Sequence, residues 1–596
     1  MYLTHKNLDD YWVVDIETDD LDATTIWCIV LQCVGSKEIV KLYGEKIFEK
    51  FSEWLERNKT CVLVGHNILS FDVPVLNRLC GTSIPFDRCV DTLVLSMLYH
   101  PQMPQGHSLA AWGERFKLDK LEFDDWSGFS EEMLTYCVRD VELTVKLFLA
   151  LTKRMRDAGF SEQSAQIEHQ IRTVLDEQQR NGFWFDRDGA VELRDTLRAR
   201  EQDAESRVQT VFPPELKSRG TYKYRVRSDK TPYATYLKHV ERFPNIEFSE
   251  DNSEYTVYDY ETFNLGSPLQ RRDRLLGMGW KPKTFTPKGN PKVDEESLVA
   301  FADKSGTEEV GLIADWLVYN GRANMIDNWL KHLGEDGRIH GRVLTCGAAT
   351  RRMRHQNPNT ANIPGNDARF GHECRSLFGV DPRGDRVLVG YDASALEGRI
   401  LCHYLANPDA TSYFLEGDPH QANADAVGVS RVVAKTLFYA FLYGAGNGKL
   451  GDIVGGSSRD GLKAREALTH AVPGLKRLMG SLNAEFNNGG VLQTIDGGFV
   501  RCPSSHAALN YKCQSAGGIL MKQTSIILDR SIKAFKWDAK KVGDIHDEGQ
   551  LDTLRAHGDH VGKAAVHALE EAGRVLGCRV PITGEYKIGS NWSETH

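Results

Sequence analysis

The chain has 596 residues, 41% of them hydrophobic, and a formal net charge of -9. That length and apolar content support several domains with their own cores and exclude disordered and fibrous classes, and the negative balance excludes a uniformly basic nucleic-acid coat while leaving room for local basic surfaces. The twelve cysteines are scattered with no C-x-x-C, so they read as core thiols of a reducing compartment. No run approaches the ~20 apolar residues of a membrane span, so a soluble, cytoplasmic protein without a membrane partner is expected.

Taken in order, Tyr11 to Val14 reads as a strand that runs into Asp15-Ile16-Glu17-Thr18, and a period of two puts Asp15 and Glu17 on one side of it. Val62 to Val64 is a second strand, followed by Gly65-His66-Asn67 and by Phe71-Asp72 at the start of an apolar helix. Glu131 to Met155 reads as an amphipathic helix on which Tyr136 and Asp140, four apart, share a face. The ordered set D-x-E, N-x3-F-D and Y-x3-D resembles the proofreading 3′-5′ exonucleases. The resemblance implies a mixed, RNase H-like sheet flanked by helices over residues 1–158. It also implies Asp15, Glu17, Asp72 and Asp140 as ligands of two Mg²⁺ ions, with Tyr136 orienting the attacking water. Phosphodiester cleavage needs negative charge neutralised on several oxygens at once, which is why carboxylates converge in such sites.

From Ser161 to Arg207 the pattern is of long helices, broken at Asn181-Gly182 as at a helix C-cap, and these suit an arm that touches duplex backbone. Phe212-Pro213-Pro214 interrupts them. Residues 215–262 then interleave Lys217, Arg219, Lys223, Arg225, Arg227, Lys230 and Lys238 with Tyr222, Tyr224, Tyr233 and Tyr236, ahead of an acidic run through Glu261. Such a segment either offers phosphate and protein contacts or is a solvated β-rich insertion whose charges pair with one another. The helical arm resumes at Asn264, with a loop at 279–283 and an Asp-Glu-Glu helix start at 294–296. Between Gly347 and Arg375 the dipeptides of Asn-Pro-Asn and Ile-Pro-Gly forbid a long helix, and Arg351, Arg352 and Arg354 fit contact with phosphates and a minor groove.

Val387 to Val389 is a short strand that delivers Asp392 at its end and leads into an apolar-periodic helix. Ser430 caps a helix closed by Gly444, on which Arg431, Lys435, Tyr439 and Tyr443 recur every four residues. At 1.5 Å per residue such a stripe runs about 18 Å, enough for a triphosphate and a base. Val542 to Leu551 is another strand pair, with Asp547 at a hairpin turn. Alone, Asp392 and Asp547 would be solvated turn residues; paired, they repel one another unless a divalent cation bridges them, and their oxygens suit Mg²⁺.

DASALEGRILCHYL from Asp392, RVVAKTLFYAFLYGAG from Arg431, His546-Asp547-Glu548, DPHQANA at 418–424, SHAALNYKCQSAG at 505–517 and the closing SNWSETH are similar to family A DNA polymerases, those of T-odd bacteriophages above all. The resemblance implies an α/β multidomain chain. Its expected parts are a thumb at 159–345 with the 213–262 insertion, a palm at 346–425 and 505–596, and fingers at 426–504. It implies Asp392, Asp547 and the Ala393 carbonyl as ligands of two Mg²⁺, with Mn²⁺ able to substitute. Arg431, Lys435 and His420 would grip dNTP phosphates, Tyr439 and Tyr443 would flank sugar and templating base, and Glu397 would lie under the sugar and exclude a 2′-hydroxyl. Arg352, His506, Asn510 and Gln514, the last three spaced as on one helical face, would follow the minor groove of primer-template DNA, and Glu548 would be a secondary palm carboxylate. A processivity factor at 213–262, thioredoxin in the phage relatives, and a phage helicase-primase are the implied partners. The family's usual Thr-Gly-Arg is Thr350-Arg351-Arg352 here, so the path of that loop is expected to differ. A single-subunit RNA polymerase is the runner-up reading, opposed by Glu397 and by the exonuclease half.

Overall fold

The computed structural model describes residues 2–282, 285, 289–293, 295, 298, 301–302 and 305–596. Lys283, Asp294 and Glu296, which belong to the expected loop and helix start, lie outside the described residues. The chain divides into two compact units, one of Met1–Phe185, His332–Ile363 and Phe378–His596, the other of Asp186–Lys331 and Pro364–Leu377.

The first unit opens with strands β1 (Tyr11–Thr18), β2 (Ile26–Cys33), β3 (Ile39–Tyr43) and β4 (Val62–Gly65), helix α1 (Asp72–Leu79) and strand β5 (Cys89–Asp91). The sheet order is β3-β2-β1-β4-β5, antiparallel on the β2 side of β1 and parallel on the β4 side. Alternation along β1 supplies two cores, with Tyr11 and Val13 in one and Trp12, Val14 and Ile16 in the other. Helix α2 (Glu131–Asp157), capped by Ser130, covers the Val13 face with Met133, Cys137, Val141 and Leu147. Asp15 and Glu17, in phase with Val13, therefore look toward α2.

Helix α3 (Glu162–Asn181) follows in the same unit. The expectation of an arm that touches duplex backbone from residue 161 is corrected for this helix, because Ile167, Ile171, Val174 and Leu175 join the core that holds Val389, Leu401 and Ile519. Its buried face also carries Glu168, His169, Arg172 and Asp176, which gives a core helix a polar sequence.

In the second unit, helices α4 (Arg187–Val211) and α6 (Glu308–Lys331) share a core through Ala204, Val208, Val310, Ile313 and Trp316. Between them stand β6 (Glu215–Lys223), helix α5 (Ala234–Arg242), β7 (Asn245–Phe248) and β8 (Glu254–Glu261), whose strands form an antiparallel sheet in the order β6-β8-β7. Tyr255 sits inside a ring of Tyr222, Tyr224, Tyr236, Phe248 and His239, so most of the tyrosines make a small core of their own. Lys217 and Arg219 pair with Glu261. Among the described residues no ion pair engages Lys223, Arg225, Arg227, Lys230 or Lys238, so charge pairing within the insertion is partial.

The remainder of the first unit contains β9 (Arg386–Ala393), α7 (Leu396–Leu405), α8 (Arg431–Leu442), α9 (Ala508–Phe535), β10 (Ala539–Ile545), β11 (Glu548–Leu554), α10 (Gly558–Val575) and β12 (Gly584–Gly589). The antiparallel sheet runs β10-β11-β9-β12. A Cβ at Gly584 would meet the Asp392 carbonyl oxygen at 2.4 Å, so only glycine lets β12 lie this close to the end of β9.

Candidate active sites

Strand β9 sets Asp392 opposite Glu548 on one side and Glu585 on the other. Strands β10 and β11 are joined by His546-Asp547 alone, with His546 at φ 56°, and the Ala393 amide donates to the Asp547 carbonyl at 3.1 Å. The two aspartates thus meet at one end of the sheet, on the wall of a cavity of about 870 Å³ that also takes in Ala393, Glu397, Arg352 and His420. Burial, then Asp547 and Glu548, push the Asp392 carboxyl up to about 7. Among the described residues no lysine or arginine forms an ion pair with either aspartate. Two carboxylates on one cavity wall, neither paired with a lysine or arginine among the described residues, make an oxygen donor set that fits a hard divalent ion.

Glu548 is not on that wall. It is 4% exposed, accepts hydrogen bonds from Trp592 Nε1 and Gln550 Nε2, and lies 2.8 Å from His596 Nδ1. Trp592 and His596 are therefore site-supporting residues that sequence reasoning passed over, although they fall in the closing SNWSETH.

Helix α8 is capped by Ser430 and followed by Gly444 at φ 79°, where a left-handed turn ends it. Ala434, Leu437, Phe438 and Phe441 anchor it in the core, which turns the stripe outward. Arg431, Tyr439 and Tyr443 of that stripe line the cavity together with Phe438 and Leu442, a wider arc than the four-residue spacing alone predicts; Lys435 is exposed and not on the wall. Tyr439 and Tyr443 stack at 6.4 Å, and His420 lies 5.8 Å from the Tyr439 ring. The Tyr443 hydroxyl donates to Glu397 at 2.6 Å, Arg352 reaches Glu397 at 3.7 Å, and Arg431 pairs with Asp418 at 2.7 Å.

His506 belongs to a 3-10 turn, Ser505–Ala507, that precedes α9, whereas Asn510 and Gln514 sit on the first turns of α9 itself. The three do not share one continuous α-helical face, and none lines the cavity.

The Thr350-Arg351-Arg352 loop corrects a further expectation. Arg351 adopts φ 62°, the left-handed conformation that a glycine would take freely, but its side chain is fully buried rather than offered to DNA. It donates to Asp496 at 3.0 and 2.7 Å, to Thr494 at 2.9 Å and to Glu168 at 2.9 Å, while Lys522 donates to Glu168 at 2.7 and 2.9 Å. Two cations thus meet two carboxylates inside the core, and these charge-assisted bonds offset the strained backbone. Arg352, one residue on, is the member of this loop that faces the cavity.

The other carboxylate set lies between β1 and α2. Ligand atoms of Asp15, Glu17 and Cys137 fall within 4.8 Å of one another. Asp72 is buried at the start of α1 and Asp140 is buried on α2. Burial, then Asp140, raise the Asp15 carboxyl to about 7; burial, then Asp15, raise Glu17 to about 10 and push Asp72 well up. Asp140 Oδ1 is buried with no hydrogen-bond partner, and Oδ2 accepts from Lys120 at 2.5 Å. Close, desolvated carboxylates with an orphaned oxygen fit divalent cations. Tyr136, one turn before Asp140, is half-buried with Phe123 and Trp126 rings at 5.7 and 5.9 Å. Sequence reasoning missed Cys137 and Lys120. Cys137 was within reach, three residues before Asp140 on the same helix; Lys120 lies in an irregular segment whose sequence carries no such signal.

Residues 3–156 match the 3′-5′ exonuclease family, and residues 236–594 match DNA polymerase family A. The DNA-directed DNA polymerase of Escherichia phage T7 is 28% identical over 98% of this chain and 100% of its own length, and that of Enterobacteria phage T3 is 28% identical over 90% of this chain and 92% of its own. Among solved structures, the polymerase domain of Pol1 from M. smegmatis, in complex with DNA primer-template and dNTP, superposes with a TM-score of 0.76 at 17% identity, covering 98% of this chain and 96% of that one. With its family match extending over most of its length and both carboxylate sets assembled, the chain belongs to DNA polymerase family A and carries a 3′-5′ exonuclease domain.

Proposed function

We propose that this polymerase extends a primer 3′-hydroxyl on a DNA template at a two-metal site formed by Asp392 and Asp547 with the Ala393 carbonyl. A second two-metal site at Asp15, Glu17, Asp72 and Asp140 removes mispaired ends, and the enzyme works in the host bacterial cytoplasm on a phage-type genome. The observation that carries the reading is the β9–β11 pairing, closed by the Ala393–Asp547 hydrogen bond, which joins two acids that lie far apart in the chain. Bound at these carboxylates, Mg²⁺, or Mn²⁺ in its place, supplies a more acidic nucleophile and neutralises charge on the attacked phosphate and the leaving group. The primer-template and dNTP held by the mycobacterial neighbour support the same ligands here.

In this reading Arg431, Lys435 and His420 hold the triphosphate, and Tyr439 and Tyr443 flank the sugar and the templating base. Glu397 lies under the sugar and excludes a ribose 2′-hydroxyl; its place on the cavity wall, held by Tyr443, supports this role and disfavours ribonucleotide synthesis. Arg352, His506, Asn510 and Gln514 test base-pair shape from the minor groove, where every pair offers common acceptors. Tyr136 orients the water of the exonuclease. The fingers at 426–504 assemble the site over a correct pair, between palm segments 346–425 and 505–596, and the thumb expected at 159–345 is carried by its Asp186–Lys331 part. The insertion at 213–262 aids processivity through DNA or a protein such as thioredoxin, and a helicase-primase is a candidate partner at the fork.

One primed-template assay tests the core of this. Mg²⁺ with dNTPs should lengthen the primer, and Mg²⁺ alone should shorten it. A chain that does neither, or that extends equally well with rNTPs, overturns the proposal.

A further inference from the structure

Lys120 stands out among the groups around the exonuclease carboxylates. It lies in the irregular segment just before α2, and that segment is anchored where Trp27 Nε1 donates to the Trp126 carbonyl at 3.1 Å. Phe123 and Trp126 of the same segment pack at 5.0 Å from one another and around Tyr136. Lys120 Nζ stands 4.7 Å from the centroid of the Tyr136 ring and 2.5 Å from Asp140 Oδ2. One ammonium thus touches the proposed water-orienting residue and one of the proposed metal ligands.

This is not a solvated surface pair. The Lys120 side chain is 28% exposed and that of Asp140 only 5%. Among the described residues it is the only ion pair that reaches Asp15, Glu17, Asp72 or Asp140. The contact is also one-sided: Lys120 occupies Oδ2, while the buried Oδ1 has no hydrogen-bond partner. A carboxylate gripped by one oxygen presents the other in a fixed direction, which is how outer residues orient the ligands of a metal site. The ammonium over the ring fixes Tyr136 in turn.

From this geometry we infer that Lys120 is a positioning residue of the exonuclease: it holds Asp140 by Oδ2 so that Oδ1 faces the metal site, and it holds the Tyr136 ring beside it. The inference rests on the exonuclease reading above and adds to it a residue and a division of labour between the two Asp140 oxygens. Lys120 acts on the protein side and not as a contact to the DNA backbone, so its loss should slow turnover without weakening DNA binding.

The test uses the full-length chain and single-stranded DNA. Lys120→Met should lower the kcat of degradation by about 10–100-fold, the range for such outer residues, with KM for DNA unchanged, and Lys120→Arg should recover part of the rate. Primer extension by the same preparation reports that the chain is folded. A second readout is independent of turnover: in an Asp392→Asn, Asp547→Asn background, which removes the polymerase carboxylate pair, Mn²⁺ binding followed by electron paramagnetic resonance should weaken at least about tenfold on adding Lys120→Met. Unchanged kcat, an effect confined to KM, or Mn²⁺ binding that stays the same or tightens would each overturn the inference. A wild-type chain that degrades no DNA, or an Asp140→Ala variant that still does, would instead remove the exonuclease reading beneath it.

Discussion

Arg351 grips Asp496 with both terminal nitrogens, at 3.0 and 2.7 Å, and neither side chain has any exposed surface. Glu168 of α3 and Lys522 of α9 complete the cluster, so the loop that carries Arg352 to the cavity is tied to two core helices. Arg351→Ala would leave two carboxylates in the core with a single cation. Breaking such a buried pair costs about 3–5 kcal/mol, and unfolding measurements should show a loss of that order.

The same cluster predicts an acid dependence. Against the burial that raises them, Lys522 and Arg351 hold Glu168, and Arg351 holds Asp496, below the ordinary carboxylate range. A depressed folded-state pKa contributes stability that is complete above the unfolded value, about 4, and is lost as pH falls through the folded value. The thermal stability of the wild type should therefore exceed that of Arg351→Ala most at neutral pH, and the difference should shrink below about pH 4. A difference that grew in acid would contradict this.

Metal affinity at the palm should depend on pH in the opposite range. Burial and Asp547 hold the Asp392 carboxyl near about 7, so at neutral pH it is partly protonated in the metal-free chain. A ligand must lose its proton before it binds. With the exonuclease carboxylates removed as Asp15→Asn, Glu17→Gln, Mn²⁺ titration should show affinity rising up to about tenfold per pH unit below 7 and levelling above it. A flat profile would show that Asp392 is already ionised.

Some of this was legible in the residues alone. Strand patterns ending in Asp392 and a turn at Asp547 place both acids from the sequence, and the β1 alternation does the same for Asp15 and Glu17. What escaped were charges used inside the core. The buried face of α3 carries Glu168, His169, Arg172 and Asp176, a composition that reads as solvated, so a core helix resembled an exposed arm. Arg351 misled for the same reason: in sequence an arginine in a glycine- and asparagine-rich loop looks like a phosphate contact, and its partners Glu168 and Asp496 are far from it in the chain. Lys120 and the Trp592–Glu548 contact depend on irregular or terminal segments, where spacing carries no information about facing.

Tyr439 lies on the cavity wall, its ring stacked on Tyr443. The Tyr439 hydroxyl predicts ready acceptance of dideoxynucleotides. Tyr439→Phe should raise the preference for dNTP over ddNTP by roughly tenfold, the worth of one hydrogen bond at about 1.4 kcal/mol, measured as a ratio of kcat/KM values. Equal ratios in the two enzymes would dismiss the idea.

The 215–261 segment has its own tyrosine core, exposes Val226, Tyr233, Leu237 and Val240, and keeps Lys223, Arg225, Arg227, Lys230 and Lys238 without ion pairs among the described residues. Removing residues 213–262 should leave single-nucleotide addition on a short primer intact and shorten products on a long primed template. Products of wild-type length would deny the insertion its proposed role.

The central claim is that Asp392 and Asp547 act together on metal. Anomalous diffraction from crystals grown with Mn²⁺, primer-template and the next correct dNTP tests it most directly. The account predicts manganese peaks bonded to oxygens of both aspartates; peaks absent from the cavity, or attached to one aspartate with the other turned away, would contradict it.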